Sequence, residues 1–541
     1  MTRRRSTTPL AVALDPRAGV PLQRQLYEAL RDAILDRRLA PGTRLPGSRA
    51  LAESLEVSRT TVALVFEQLG AEGYLRGEAR SGTFVARVLP DVHLRAAPRP
   101  TAEGGPSHRR RASRSAPMDR SGRASPPSPT PALLATPATP TTRTEHGTPA
   151  TPALSRRGLL LAGLSITSSP MHALTGARAF RLGTPALEQV PLQLWGRLLS
   201  RRWRRLTAPQ LAYAEPFGAP VLREAIASYV RHARAVRCEG DQVIVVSGAQ
   251  QAFDLCARVL LDPGDGAAIE DPGYRGARAA LVASGATLVP VPVDHDGLDV
   301  DSLDALPVAP RLACVTPSHQ FPLGVTLSAA RRLALLDWAR RHSAWIVEDD
   351  FDSEYRFRGR PLPSLQGMDR DGRVVYVGTF SKTLFPALRL GYLIAPSSLV
   401  DAFARARAAV DRHPSTLEQL VLADFIADGH LARHVRRMRA LYAERQETLL
   451  ALLSERAHWL EPTPVDAGMH LVAWLPPSCN DQRLAARALD AGVVASALGT
   501  LSLAPLTRGA LLLGFAGFDG DAMSRALDVL GRVAREAGVA Q

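Results

Sequence analysis

Lys382 is the only lysine in 541 residues; the rest of the 66 residues counted as Lys or Arg are arginines. A chain with that bias uses arginine wherever a fixed positive charge suffices, because a guanidinium stays protonated at any working pH. A desolvated lysine can give up its proton and act as an amine nucleophile, which condensation with an aldehyde requires. Its segment, Gly378–Tyr392 (GTFSKTLFPALRLGY), adds the hydroxyls of Thr379 and Ser381 and the donor fork of Arg389, a set suited to a phosphate. Three other stretches carry groups of the same kind. Ser247-Gly248-Ala249-Gln250-Gln251 reads as a strand-to-helix turn whose free backbone N–H groups can grip a phosphate. Tyr274, in Asp271-Pro272-Gly273-Tyr274, can stack on a flat ring. Glu348-Asp349-Asp350 ends an apolar run, where an acid can hold a ring nitrogen protonated. Each alone also reads as a loop residue or a strand-end cap. In the order glycine turn, aromatic, Asp and Lys, they point to one site.

Such residues meet only if a sheet brings them together. Apolar runs at Val243–Val246, Ala267–Ile269, Thr287–Pro290, Leu312–Thr316, Trp345–Val347, Val374–Val377 and Gly391–Ile394 predict strands. Helical periodicity over Ala249–Leu261, Ala277–Ser284 and Ala329–Arg341 alternates with them. The alternation predicts a mainly parallel α/β sheet with helices on both faces. Ligands of such sheets collect at the carboxyl ends of strands, and the residues above fall there.

T-F-S-K followed by an Arg and a Gly resembles the lysine segment of fold-type I pyridoxal-phosphate aminotransferases, and the order of motifs matches that family. The resemblance implies pyridoxal 5'-phosphate as cofactor and Lys382 as the internal-aldimine lysine. It further implies that Gly248, Ala249, Gln250, Thr379 and Arg389 hold the phosphate, that Tyr274 stacks on the ring and that Asp349 pairs with its nitrogen. Tyr213, in AYAEPFGAPVLR, matches a tyrosine that reaches the phosphate of the neighbouring subunit, which implies a homodimer with shared sites. Three positions depart from the family. Its N-P-x-G reads His319-Gln320-Phe321-Pro322-Leu323-Gly324 here, so His319 or Gln320 stands in for an Asn beside the ring oxygen. A tyrosine expected near that oxygen is Phe351. The arginine that clamps a substrate carboxylate in x-R-x-G-F is Leu512. A buried carboxylate without an arginine is poorly compensated. Ordinary α-amino acids are therefore expected to bind weakly and transamination to be negligible unless Arg275 or Arg278 swings in, leaving pyridoxal phosphate itself as a signal.

The first module has a different chemistry. Leu22, Leu26, Leu30, Ala33 and Ile34 fall on one helical face. Ser48 is expected to cap a second helix over Arg49–Leu55, and Ser58 a third, to about Leu69, with Val62, Val65, Phe66 and Leu69 inward. Tyr74-Leu75 and Thr83-Phe84-Val85 then read as a two-stranded wing. The run GTRLPGSRALAESLEVSRTTV with EGYL and SGTFV closely resembles the winged helix-turn-helix of GntR-type repressors. It implies phosphate contacts from Arg49, Ser58, Thr60 and Thr61, base reading by Arg59, and a wing tip that approaches the minor groove at Gly82. A further basic residue common in that family is Ala63 here.

The net charge of +14 favours polyanionic partners, although an arginine-rich genome produces the same number. Four scattered cysteines without C-x-x-C spacing exclude a disulfide framework and a zinc site, and no metal is expected. No signal peptide or membrane span is expected: SRRGLLLAGLSI, at Ser155–Ile166, is internal and too short. The compartment implied is cytoplasmic. Residues 18–87 are read as an α+β winged helix-turn-helix, 88–175 as a disordered Pro/Ala/Thr/Arg-rich linker, and 176–541 as an α/β aminotransferase-like domain. This plan, with SHQFP, EDDFDSEY and GTFSKTLFP, resembles the MocR family of transcriptional regulators. It implies a pyridoxal-phosphate-dependent, promoter-binding homodimer that responds to a small effector, the cofactor or an amino compound. A working aminotransferase with a fused DNA-binding module is the rival reading, because one fold hosts both roles.

Overall fold

A computed structural model describes residues 14–15, 22–71, 73–78, 82–86, 154–164, 179–359, 362–477 and 479–539. Most of the linker expected at 88–175, and the wing tip at Arg80 and Ser81, lie outside the described residues.

The small module contains α1 (Leu22–Leu35), α2 (Ser48–Ser54), α3 (Arg59–Ala71), β1 (Leu75–Glu78) and β2 (Gly82–Val85). Leu26, Leu30 and Ile34 of α1 bury completely against Val62, Val65 and Leu69 of α3, as the 3.6-residue periodicity requires. Antiparallel β1 and β2 pair from Leu75 opposite Val85 to Glu78 opposite Gly82. Backbone bonds from Gly42 to Val85, Val85 to Thr43 and Leu45 to Thr83 add the segment before α2 as a third edge. One cap moves. The first carbonyl of α2 to accept a helical bond is that of Gly47, so Ser48 lies inside the helix instead of capping it. Ser58 does cap α3, its Oγ accepting from Thr61 N–H at 3.0 Å. The stretch at Ser155–Ile166, read as neither signal nor membrane span, forms α4 (Arg156–Gly163), capped by Ser155. Among the described residues no helix is long and apolar enough to cross a membrane.

The large module opens with α5 (Leu192–Trp203), α6 (Ala208–Leu211) and α7 (Pro220–Arg234). It continues through β3 (Val243–Val246), α8 (Ala249–Leu260), β4 (Gly266–Asp271), α9 (Arg275–Ser284), β5 (Thr287–Asp294) and β6 (Gly297–Leu298). Next come α10 (Val300–Asp304), β7 (Leu312–Val315), α11 (Ala329–Arg341), β8 (Trp345–Asp350) and α12 (Leu365–Met368). The lysine segment supplies β9 (Val374–Thr379), α13 (Phe380–Thr383) and β10 (Gly391–Ile394). These strands form one eight-stranded sheet in the order β3-β10-β9-β8-β7-β4-β5-β6. The pairs β9–β8, β8–β7, β7–β4 and β4–β5 are parallel, and β10 runs antiparallel to both its neighbours. All four residues of β3 are buried because helices cover both faces, which is why its run is continuously apolar instead of alternating.

After α14 (Val400–Asp411), α15 (Thr416–Ala427) and the 27-residue α16 (His430–Arg456), a smaller sheet packs beside the first. It comprises β11 (Glu461–Thr463), β12 (His470–Trp474), β13 (Ser496–Ala497) and β14 (Ala510–Gly514) in the order β11-β12-β14-β13, with α17 (Asp481–Asp490) and α18 (Gly520–Glu536).

The three acids ending β8 have three fates. Glu348 accepts the backbone N–H groups of Leu365 and Gln366, both at 2.8 Å. Asp350 pairs with Arg234 Nε at 2.7 Å and with the Tyr376 hydroxyl. Asp349, on the opposite face of the strand, points away from both. The Arg234–Asp350 pair is nearly fully buried, so removing one partner strands a charge in the core. Arg234→Met is expected to cost roughly 3–5 kcal/mol in urea denaturation. A loss under about 1 kcal/mol means that water solvates Asp350.

Candidate functional site

Parallel register brings the carboxyl ends of β4, β7, β8 and β9 to one edge, with Glu270, Thr316, Asp349 and Thr379–Lys382 side by side. Asp349 is buried and its Oδ1 has no hydrogen-bond partner among the described residues. Burial pushes its carboxyl well above the usual carboxylate range, and the charges of Asp350 and Asp352 push it further. Lys382 donates from Nζ to the Gly183 carbonyl at 3.0 Å. Its side chain keeps some open surface, yet the surrounding protein lowers its pKa, a shift that Asp352 and Asp349 partly oppose. Gly183 has a φ of +64°, and a Cβ there would lie 2.3 Å from Lys382 Nζ. The left-handed backbone favours glycine, and a Cβ would push the end of the Lys382 side chain off the Gly183 carbonyl. The Tyr355 hydroxyl donates to the Lys382 carbonyl at 3.0 Å and fixes the short helix.

A turn and an arginine suited to an anion belong to the same sheet. Gly248 has a φ of 104°, and its position lets α8 begin with the N–H groups of Ala249 and Gln250 directed outward. Arg389, itself at a φ of 51°, donates to the Ser247 carbonyl at 2.6 Å, and a Cβ at Gly248 would sit 3.5 Å from its guanidinium. Thr379 Oγ1 accepts from Ser381 N–H at 3.2 Å. Gln250 spends its side-chain amide on the Gly276 carbonyl, leaving its backbone N–H for the cradle.

Tyr274, 40% exposed, stands over the same edge with its ring perpendicular to Phe321 at 6.0 Å and tilted on Phe253. A Cβ at Gly276 would come within 2.5 Å of that ring. The protein packed around its hydroxyl raises that group to about 12, Asp349 adding to the shift and Arg389 opposing it. His319 is buried; its Nδ1 meets Asp352 Oδ1 at 2.9 Å and its Nε2 has no partner among the described residues. Gln320 is fully engaged. Its Nε2 donates to the Pro272 and Phe321 carbonyls and to Glu270, and its Oε1 accepts from Leu323 N–H. Glu270 also takes the Thr316 hydroxyl, yet burial lifts it to about 7. Phe351 packs tilted on His319 and perpendicular to Phe321.

Tyr213 is not brought to this cluster within one chain. It is 80% exposed, with Arg412 4.5 Å from its ring centroid. Gly183, Asp352 and Asp271 belong to the site without a sequence signal of their own; Asp271 anchors Leu503 and Ala504 N–H groups at 2.7 and 2.8 Å. In the small module Arg49, Ser58, Arg59 and Thr60 are exposed and Thr61 is half-buried. Ser58 and Thr61 share a hydroxyl contact of 2.8 Å. Gly82 has a φ of 112°, and a Cβ there would meet Arg44 Nε at 3.1 Å, so the wing is fitted closely to the segment before α2. A cavity of about 460 Å³ lined by Arg157, Arg258 and Val410 gathers none of these groups.

The residues fit pyridoxal phosphate: an unpaired buried carboxylate for a ring nitrogen, an amine beside it, an anion cradle and an aromatic cover. Fold and site thus define a two-part molecule, a winged helix joined to an aminotransferase-like body. Comparison with known proteins agrees. Residues 22–85 match the model for bacterial regulatory proteins of the gntR family, and residues 200–530 that for aminotransferase class I and II. The chain is 42% identical over 522 residues to the probable rhizopine catabolism regulatory protein MocR of Rhizobium meliloti, covering 96% of this chain and 95% of that one. It is 34% identical over 486 residues to the transcriptional regulator TauR of Rhodobacter capsulatus, covering 89% and 90%. The α-aminoadipate aminotransferase LysN of Thermus thermophilus superposes with a TM-score of 0.64 at 27% identity, over 70% of this chain and 97% of that one. The chain belongs to the MocR-type GntR regulators: a DNA-binding module fused to a fold-type I aminotransferase-like sensor domain.

The unpaired Asp349 has a consequence for stability without cofactor. A carboxyl whose folded pKa is raised contributes stability below its unfolded pKa and loses it as pH rises through the folded value. Glu270 titrates the same way, between the ordinary 4.5 and about 7, so stability falls over that window. Lys382, whose pKa is lowered, weighs in at higher pH, where its penalty is relieved as the solution approaches 10.5. Asp349→Asn should therefore stabilise the cofactor-free protein by about 1–3 kcal/mol at pH 7–8 and flatten its decline with pH. Chemical denaturation at pH 5 and pH 8 checks this; a loss of stability at pH 8 contradicts it.

Proposed function

We propose that this chain is a cytoplasmic, homodimeric transcriptional regulator whose sensor domain holds pyridoxal phosphate at Lys382 and reads a small effector through it. One observation supports this above the others: the buried Asp349 carboxyl, whose Oδ1 has no partner among the described residues, near the chain's only lysine. A protein keeps such an uncompensated acid where function needs it. When bound, the cofactor supplies an aldehyde carbon that condenses with amines and a ring that accepts electrons.

The chain's own groups do the rest. Gly248, Ala249 and Gln250 offer backbone N–H groups to the phosphate, with Thr379 and Arg389 completing the cradle. Tyr274 would cover one face of the ring, and Asp349 would balance a proton on its nitrogen. His319, held by Asp352, would offer its free Nε2 to the ring oxygen, the role the sequence left open between His319 and Gln320. Gln320 instead braces the loop and Glu270. Tyr213 crosses to the phosphate of the neighbouring subunit, which accounts for an exposed tyrosine stacked under Arg412. On DNA, Arg49, Ser58, Thr60 and Thr61 contact phosphates at α3 and α2, Arg59 reads a base edge, and Gly82 lets the wing approach the minor groove. The effector alters promoter affinity only to the extent that it binds two domain arrangements unequally. Leu512 in place of a carboxylate clamp, and the regulatory relative's match along nearly the whole chain, favour a sensor over a working aminotransferase.

Two substitutions test the two halves. Lys382→Arg should leave no amine at the site, so that borohydride no longer fixes the cofactor to the protein; covalent label on this variant would refute the assignment. Arg59→Ala should cost about 1–3 kcal/mol on the selected DNA sequence and relax preference at one position. Equal losses on selected and random duplexes in a mobility-shift titration would move Arg59 among the phosphate contacts.

A further inference from the structure

Two arginines open α9 at the end of a helix that suits a cation least. Arg275 is its first residue and Arg278 stands one turn on, so the two side chains share a face. The free backbone N–H groups of a first turn already make that end positive, which favours anions. No acid occupies the first turn, and Tyr274, at the N-cap, makes no capping hydrogen bond through its side chain. The arginines in the last turns of α7 and α11 sit at the favourable end and are paired, Arg234 with Asp350 and Arg341 with Asp304.

Among the described residues the α9 pair is unbalanced. Neither Arg275 nor Arg278 forms a hydrogen bond or salt bridge there, and Arg275 Nε is buried without a partner. The surrounding protein lowers both guanidinium pKa values, and the charge of Arg275 lowers that of Arg278 further. Asp271 acts on Arg278 from the end of β4, but its two oxygens accept the N–H groups of Leu503 and Ala504 at 2.7 and 2.8 Å. Two half-buried like charges at a positive helix end cost free energy that an anion between them would offset.

Tyr274 joins this pair to the cofactor site. Its ring lies against Gly276, where a Cβ would come 2.5 Å from it, and its hydroxyl feels both Asp349 and Arg389. Gly273 N–H donates to the Leu501 carbonyl at 3.1 Å and fixes the turn that leads into α9. An anion held at Arg275 therefore sits beside the aromatic cover. Leu512 leaves β14 without a guanidinium, and α9 supplies two from another element.

We propose that Arg275 and Arg278 form an anion subsite beside Tyr274, and that the effector is an amino compound whose amine goes to the Lys382 side and whose carboxylate goes to this pair. This names the ligand class for the sensor described above and rests on that reading.

Matched pairs isolate the carboxylate. The full chain is loaded with pyridoxal phosphate, freed of excess cofactor, and titrated with glycine, β-alanine and γ-aminobutyrate, which set the carboxylate at increasing distance from the amine. Methylamine, ethylamine and propylamine are the same molecules without it. Binding is read from the visible absorbance and, independently, from the thermal midpoint. At least one acid should half-saturate at a concentration about tenfold or more below its matched amine. Arg275→Gln and Arg278→Gln should each narrow that ratio, and together bring it close to unity. The proposal is overturned if every acid binds no tighter than its amine, or if the preference survives the double variant. Loss of cofactor uptake by a folded variant overturns it too, because the arginines would then serve the phosphate cradle. The wild-type comparison stands alone if a variant does not fold. Failure of the wild-type chain to take up cofactor, seen before any ligand is added, would instead refute the underlying sensor reading.

Discussion

One buried carboxylate, without a partner among the described residues, governs this structure. The last residues of β8 alternate across a sheet covered on both faces, so three consecutive acids cannot share one environment. Glu348 is spent on two backbone N–H groups and Asp350 on Arg234 and Tyr376, while Asp349 is left alone at the carboxyl edge. Burying it costs free energy that an empty site does not return. Much nearby architecture serves to hold that arrangement: Gly183 clears room for Lys382, Gln320 braces Glu270, and Gly248 opens the cradle at α8. A ligand bringing a positive ring nitrogen and a phosphate would compensate all of it at once.

The other half of the molecule depends on helix packing of a simpler kind. Leu26, Leu30 and Ile34 lock α1 to α3, and the cap at Ser58 sets where α3 begins. Arg59 and Thr60 are exposed because they occupy that first turn, ahead of the buried Val62. The two modules therefore present different chemistries, guanidinium and hydroxyl groups on one, a buried acid and amine on the other. Regulation requires that they communicate, and communication requires only that a ligand favour one arrangement of the pair.

The sequence disclosed most of this where a physical rule is local. Both β10 and α11 begin and end where the apolar patterns predicted, because a strand covered on both faces has few other readings. The lone lysine stood out through its chemistry, and Asp349 through its place at a strand end. Residues that act through space were invisible. Gly183 lies 199 positions from Lys382, and nothing in Phe180-Arg181-Leu182-Gly183 marks a close approach. Asp352 is one acid among several in the sequence, and only the fold sets His319 against it. The four partners of the Gln320 amide were likewise illegible in the sequence, because they come from the end of β4 and the loops after β4 and β7. Ser48 missed its role as a cap by one residue, a shift that propensity cannot resolve.

The direct measurement is the protonation state of the ring nitrogen in the loaded protein. The full chain would be reconstituted with pyridoxal phosphate labelled with nitrogen-15 in the ring, and the nitrogen chemical shift followed from neutral to mildly alkaline pH. With Asp349 as its partner, the nitrogen should stay protonated across that range in the wild type and lose its proton in Asp349→Asn. A neutral nitrogen in the wild-type protein would contradict the account, because the buried acid around which the site is built would then have no counterpart.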